Sequence, residues 1–370
     1  MSTLPLMAIP DYKQYVPFLK GKQGELDALS TVNRGGREQL TPLVEIGPIE
    51  IDPKTGANTK SLDETLEGLA AKIAKAWGSL DFCFVDLPEF DPDARLESGQ
   101  HPVARFFEDA KAVDLAAVPV AGLDRDKPHL DAVAEARSWR GTGLAIRVRR
   151  RELQTPTALA GGLTRLAGIV GVDFEEADLL LDFGHILKSE TTAIEAMAEA
   201  AILALPEVDS WRSLTVSSGA FPETVSPDVK PGETGVLERR DFALWRALTA
   251  GKALPRLPAF GDYGVASPEW LQGFDPEIMA PAAKIVYARE KDWLVVRGRS
   301  LKKHGFGQYR ALAHQVIRSG SFQGSEHCWG DSYIAKCANG RVGTGSLKTW
   351  VSVATSHHLG VTTRQLASLP

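Results

Sequence analysis

Eight short apolar runs, nearly every one followed by a stretch of helical pattern, predict an α/β protein built as a (β/α)8 TIM-like barrel. The runs are Tyr15–Lys20, Thr41–Ile46, Asp81–Leu87, Ala117–Gly122, Gly143–Val148, Ala177–Asp182, Ser213–Ser218 and Pro255–Phe260. A second observation is their composition. Ala177–Asp182 is nearly all apolar, as a strand buried on both faces must be. A third is where charge falls. Polar residues gather where the runs end, and barrels of this kind keep their chemistry at the carboxyl ends of their strands.

Taken in order, the helical stretches sit where a barrel needs them. From Ser61 to Trp77, Leu62, Leu66, Leu69, Ile73 and Trp77 recur at helical spacing, with Ser61 as N-cap and Glu64 completing a capping box. Thr192–Leu205 repeats the pattern and Pro206 ends it. Asp241–Ala250 offers an N-cap Asp followed by Phe242, Leu244, Trp245 and Leu248. After the eighth run the alternation changes. Ala283–Ala288 and Trp293–Arg299 read as two strands joined by a tight turn, an inserted β-hairpin near the last strand, at about 283–299. Phe306–Ser319 reads as the last barrel helix. Residues 1–320 are therefore expected to form the barrel, and 321–370 a C-terminal extension packed on it. That extension is rich in Gly, Ser and aromatic residues, with a turn expected at His357-His358 and another at Gly340–Gly345.

Composition suits such a core: 370 residues, 44% hydrophobic and 24% charged. A net charge of -5 implies no general affinity for polyanions, although a local basic patch leaves nucleic acid open. No apolar run reaches the length of a membrane span, so no membrane partner is expected. Met1–Pro10 is apolar but short and lacks a basic start, unlike a signal peptide. Cys83, Cys328 and Cys337 fit a reducing, cytoplasmic setting better than a disulfide framework. They include no CxxC and read as packed free thiols; a zinc site, the lesser alternative, would have to draw on His327, His357 or His358.

The residues that end the runs form the candidate site. The first run ends in Lys20, followed by Lys22 and Glu25; the second carries Glu45 and the third Asp86. The fourth reaches Asp124 and Arg125, and the fifth holds Arg147 and Arg149. The sixth ends in Asp182, then His185; the seventh gives Ser217, Ser218 and Gly219; the eighth is followed by Asp262 and Tyr263. A charge at a strand end is often only where the strand meets water. Glu45 and Asp86 resist that reading because each follows an apolar run directly, and a buried carboxylate needs a partner such as Lys20 or Arg147.

Two chemistries suit the mixture. Carboxylates from neighbouring strands can hold a divalent metal ion while Lys20, Arg147 and Arg149 clamp phosphate oxygens. Alternatively Glu45, Asp86 and Asp182 can include a general acid and a nucleophile or base, as in glycoside hydrolysis. The basic residues favour an anionic ligand. Ser217-Ser218-Gly219 offers either a phosphate-binding turn or a plain one. No GxSxG elbow, Walker A motif, GxGxxG fingerprint or HExxH is present.

The opening YVPFLKGKQGELDAL with PLVEI, and the ending HCWGDSYIAKCANGRVGTGSLKTWVSVATSHHLGVTTRQL, resemble the beta protein family of phage and bacterial genomes. The resemblance runs along the whole chain and is specific at Lys20, Lys22, Glu25, Glu45, Gly330, Asp331, Gly343, Gly345, Trp350 and His358. The family carries no assigned reaction; the resemblance implies a link to phages or mobile elements and to phage–host conflict. Two functions stay open. One is a hydrolase of a phosphorylated or nucleotide-type substrate, with Lys20, Glu45, Asp86, Asp182 and His358 as catalytic candidates. Its substrate would be held by Lys22, Arg147, Arg149, Ser217, Ser218, Asp262, Tyr263, Asp331 and Trp350. The other is a non-enzymatic binding protein for a protein or nucleic-acid partner.

Overall fold

The computed structural model describes residues 12–369 except 80, 89, 91, 140, 252 and 271–280. Its strands are β1 (Tyr15–Leu19), β2 (Leu43–Glu45), β3 (Cys83–Asp86), β4 (Ala117–Gly122), β5 (Leu144–Arg149), β6 (Ala177–His185), β7 (Ser213–Gly219), β8 (Thr234–Glu238), β9 (Ala259–Asp262), β10 (Ala282–Ala288) and β11 (Asp292–Ser300). The first seven and β9 form a closed barrel in sequence order. Neighbours pair in parallel, and Tyr15 opposite Phe260 closes the ring between β1 and β9. All eight runs thus supply a barrel strand. The eighth strand starts later than its run, because Pro255 and Pro258 have no N–H to give to a ladder.

Side chains alternate across each strand, and this sorts the barrel into two cores. Val16, Phe18, Leu43, Phe84, Val118, Val120, Ala145, Leu180 and Ala259 fill the inside, with Tyr263 at its top. Their neighbours, among them Tyr15, Val44, Val85, Ile146, Leu181, Val216 and Phe260, face the surrounding helices. The same alternation places Glu45 above Leu43, Asp86 above Phe84, Arg147 above Ala145 and Asp182 above Leu180, all at the inner rim.

The capping box forms as read, Ser61 accepting from the Glu64 N–H while Glu64 accepts from that of Ser61. The expected single helix is nevertheless two, Leu62–Leu66 and Leu69–Trp77. Gly68 between them sits at φ 64, a left-handed turn that glycine takes without strain. Asp241 is not a cap. It lies buried in the first turn of helix Arg240–Thr249, where its carboxylate accepts from the Ala220 N–H at 3.3 Å.

The antiparallel hairpin is β10 and β11, and β8 adds a third strand to it, order β10-β11-β8. β8 escaped the sequence because most of its residues are exposed, so it leaves no apolar run. This sheet packs on helices Tyr309–Arg318, Trp329–Ala338 and Leu347–Ala367 around a second core that includes Ile285, Tyr287, Leu312, Val316, Ile334, Trp350 and Val353. The last helix replaces the turn expected at His357-His358. It runs 21 residues, is capped by Ser346, and packs against β1 and helix Gln23–Leu29 as well as β10. Trp350, Val353, Thr355, His357 and His358 are all buried, so apolar periodicity is lost where every side of the helix is covered. No helix among the described residues is long and apolar enough to cross a membrane.

Candidate active site at the barrel mouth

Arg147 is the centre of the mouth. Its Nη1 donates to Glu45 Oε2 and to Asp86 Oδ2, each at 2.7 Å. Nη2 donates to Asp182 Oδ2 at 2.7 Å and reaches the Tyr263 hydroxyl at 2.9 Å. Tyr263 in turn donates to Asp182 Oδ2 at 2.7 Å. Phe18 lies beneath, its ring 5.2 Å from the guanidinium carbon. All four charged residues are almost fully buried. Bare charges there would be very costly, and the mutual bonds are what make the arrangement tenable.

A second tier holds the first. Arg125 Nη2 meets both oxygens of Asp86 at 3.2 Å. The Gly184 N–H donates to Asp182 Oδ1 at 3.0 Å. Trp270 donates its indole N–H to Glu45 Oε1. The Trp270 ring lies so close over Gly47 that a Cβ there would fall 2.3 Å from it. Lys20 and Lys22 hold their ammonium groups 4.6 and 5.4 Å from the same ring, and Lys20 donates to the Glu269 carbonyl.

Electrostatics follow the contacts. Burial alone would raise the Asp86 pKa, but Arg125 and Arg147 outweigh it and the group titrates below its usual range. Burial opposes the Arg147 charge, yet Tyr263 and the three carboxylates hold its pKa well above the ordinary value. Tyr263 is pushed well up, first by burial and then by Asp182. Lys20 is lowered by burial. His185 is lowered by burial and then by the charge of Arg240, so its imidazole is neutral at pH 7.

Above this floor opens a cavity of 410 Å³. Its lining includes Arg147, Arg149, Arg150 and Arg151 against the carboxylates of Glu45, Asp182 and Glu269. Arg150 is braced by Glu190 at 2.9 Å, and Arg149 lies 3.7 Å from Asp124. His185 joins the lining, and its buried Nδ1 has no hydrogen-bond partner. The oxygens of Glu45, Asp86 and Asp182 converge on a guanidinium. A divalent ion among them would lie against that positive charge, so the floor does not suit the metal-assisted arrangement. An anion held by the arginine wall beside a neutral imidazole does suit it.

Of the residues read from sequence, Lys20, Lys22, Glu45, Asp86, Arg147, Arg149, Asp182 and Tyr263 gather at this mouth. Ser217 faces the barrel interior, its Oγ buried without a partner. The others fall elsewhere. Ser217-Ser218-Gly219 is the end of β7, not a phosphate-binding turn, and Ser218 pairs in register with Asp262. Both of these lie one residue out of phase with the interior set, which turns them to the outer wall. There Asp262 accepts from the Tyr15 hydroxyl and bonds His358 Nε2 at 2.8 Å. His358 is accordingly sealed between its helix and the barrel wall, with Nδ1 3.3 Å from the Trp293 indole nitrogen. Asp331 is buried in the tail, bonded to His357 Nδ1 at 2.8 Å and to the Tyr287 hydroxyl at 2.7 Å. Trp350 stacks on Tyr309 at 4.4 Å in the second core. Sequence reading overlooked Trp270, Arg150 and Arg151 as site residues, and noted Arg125 and His185 only as strand-end groups. The run Arg149-Arg150-Arg151 at a strand end was the available signal; Trp270 carried none.

Fold and mouth together define a barrel protein with an arginine-walled pocket at the carboxyl ends of its strands. The family model described as Beta protein matches residues 15–364, and the chain belongs to that family. Among solved structures, triosephosphate isomerase from Bartonella henselae is similar at 11% identity, covering 68% of this chain and 91% of that one, with a TM-score of 0.34. No curated protein matches the chain.

Proposed function

We propose that the barrel mouth binds a phosphorylated or nucleotide-type small molecule and hydrolyses it. The observation that carries this reading is the arginine wall, Arg149 to Arg151, set over a floor whose three carboxylates are each paired with Arg147, and Asp86 with Arg125 as well. Four arginines line the cavity against the carboxylates of Glu45, Asp182 and Glu269, so an anion entering it meets an excess of positive charge. Arg149 and Arg150 bind the phosphoryl oxygens, Trp270 offers an aromatic face to a base or sugar, and Arg147 fixes the floor. His185, whose neutral and half-buried imidazole lines the cavity, takes the proton of the attacking water. Lys20 and Lys22 keep Trp270 in place.

A second reading, a binding protein without catalysis, is favoured by one observation. Glu45, Asp86 and Asp182 are all engaged by arginine, which leaves none of these three free as a nucleophile. One experiment separates the two. Nucleotides, phosphomonoesters and phosphodiesters are screened for binding by calorimetry and for hydrolysis by phosphate release. Expected is hydrolysis of at least one of them. Arg149→Ala weakens binding about 10-fold, and His185→Ala spares binding but slows turnover about 100-fold. Binding without turnover selects the second reading, and neither binding nor turnover overturns both.

A further inference from the structure

Away from the mouth, the start of helix Trp329–Ala338 meets the middle of helix Leu347–Ala367. The two come unusually close because two glycines allow it. A Cβ at Gly330 would fall 2.4 Å from the Val353 carbonyl oxygen, and one at Gly360 would meet His327 Nε2 at 3.3 Å. This approach gathers His327, Asp331 and His357, whose donor atoms all lie within 4.8 Å of one another. Cys328 borders that set, its thiol donating to Asp331 Oδ2 at 3.0 Å.

Two details set the cluster apart from an ordinary His–Asp pair. His357 Nε2 lies 2.8 Å from the Ala288 carbonyl oxygen, a partner that only an N–H can serve. On its other side Nδ1 lies 2.8 Å from Asp331 Oδ2, so ring and carboxylate are held against each other at one point. Ligating histidines typically give their other N–H to a backbone carbonyl in this way. The second detail is His327. Both of its ring nitrogens are shielded from solvent and neither has a hydrogen-bond partner. Its ring lies 5.4 Å from that of His357. An imidazole with both nitrogens buried and unused costs stability unless something binds it.

We propose that His327, Asp331, His357 and the Cys328 thiolate bind one zinc ion. Two imidazoles, a carboxylate and a thiolate match the four-coordinate, nitrogen- and sulfur-rich preference of zinc, and magnesium or calcium would ask for oxygen ligands instead. With four protein ligands the site is structural. It staples both helices to each other and, through the Ala288 carbonyl and the Tyr287 hydroxyl on Asp331, to β10. It stands independently of any reading of the barrel mouth.

The test uses the full chain, purified from zinc-supplemented medium without chelator. Metal content is measured by mass spectrometry and melting temperature with and without dipicolinate. Expected is about one zinc per chain. Chelation should lower the melting temperature, and zinc, but not magnesium, should restore it. His327→Gln preserves the His357–Asp331 bond, so it should fold by circular dichroism yet bind zinc at least about 100-fold more weakly. The cobalt-loaded protein should show a thiolate-to-metal absorption band that Cys328→Ser lacks. Absence of zinc with no effect of chelator overturns the proposal, as does a folded His327→Gln that binds zinc as tightly as the parent. A cobalt band that survives Cys328→Ser overturns the thiolate ligand.

Discussion

Arg147 holds Asp182 twice on one oxygen, with Nε at 3.0 Å and Nη2 at 2.7 Å from Oδ2. The same guanidinium bonds Glu45 and Asp86, so its removal takes the shared cation from three buried carboxylates at once. Arg147→Met is expected to lower the unfolding free energy by about 3–5 kcal/mol, read from urea denaturation. Asp182→Asn, which keeps a polar group in place, should cost less. An Arg147→Met protein as stable as the parent would show that the network is not what holds the mouth.

Tyr263 closes the same network from the top. Tyr263→Phe keeps the ring on Phe18, 5.3 Å between centroids, and deletes only the hydroxyl that joins Arg147 to Asp182. A loss of about 1–3 kcal/mol is expected, the cost of buried partners left short of one bond. Denaturation of this variant beside Tyr263→Leu separates the hydroxyl from the ring: a Phe variant as destabilised as the Leu variant contradicts the assignment.

Glu25 gives a pH-dependent test with a definite sign. Burial raises its pKa from 4.5 to about 7, although the backbone N–H groups of Lys20 and Lys22 and the lysine charges pull the other way. A folded pKa above the unfolded one favours folding below 4.5, and that contribution is lost as pH rises through about 7. Glu25→Gln does not titrate. Its stability relative to the parent should therefore climb across that window and level off above it. A difference that is flat with pH would contradict the shift. Asp86 acts with the opposite sign: its lowered pKa adds stability above its unfolded value of 3.8, lost as pH falls further.

Gly47 is expected to be intolerant of a side chain for a reason tied to the site. The methyl of Gly47→Ala would strike the Trp270 ring and push it off Glu45. The change should shift Trp270 fluorescence and weaken ligand binding several-fold with little loss of helix or sheet signal. Unchanged fluorescence would mean the ring is not seated there.

The barrel was legible because a parallel strand covered on both sides must be written in apolar residues, and Ala117–Gly122 or Ala177–Leu181 can hardly be written otherwise. The floor of the site was legible for a related reason. Glu45, Asp86, Arg147 and Asp182 each follow an inward apolar residue by two positions, so one alternation carries all four to the same rim. That rule also separates Asp262 from Tyr263, which adjacency in sequence had joined. What could not be read was set by packing between distant segments. β8 is mostly exposed and pairs only because β11 lies beside it. Helix Leu347–Ala367 is covered on every side over residues 352–359, so that stretch shows no stripe, and its histidines, read as a turn, are two buried groups with different partners. Trp270 enters the mouth from a loop that no periodicity describes.

The central functional claim is that the barrel mouth is an anion site. Crystals soaked in tungstate, a heavy phosphate mimic, would test it by anomalous diffraction. The expected result is a peak inside the 410 Å³ cavity, within hydrogen-bond reach of Arg149 and His185 and absent in Arg149→Ala crystals. Tungstate peaks confined to other surfaces, with the mouth empty at the same concentration, would contradict it.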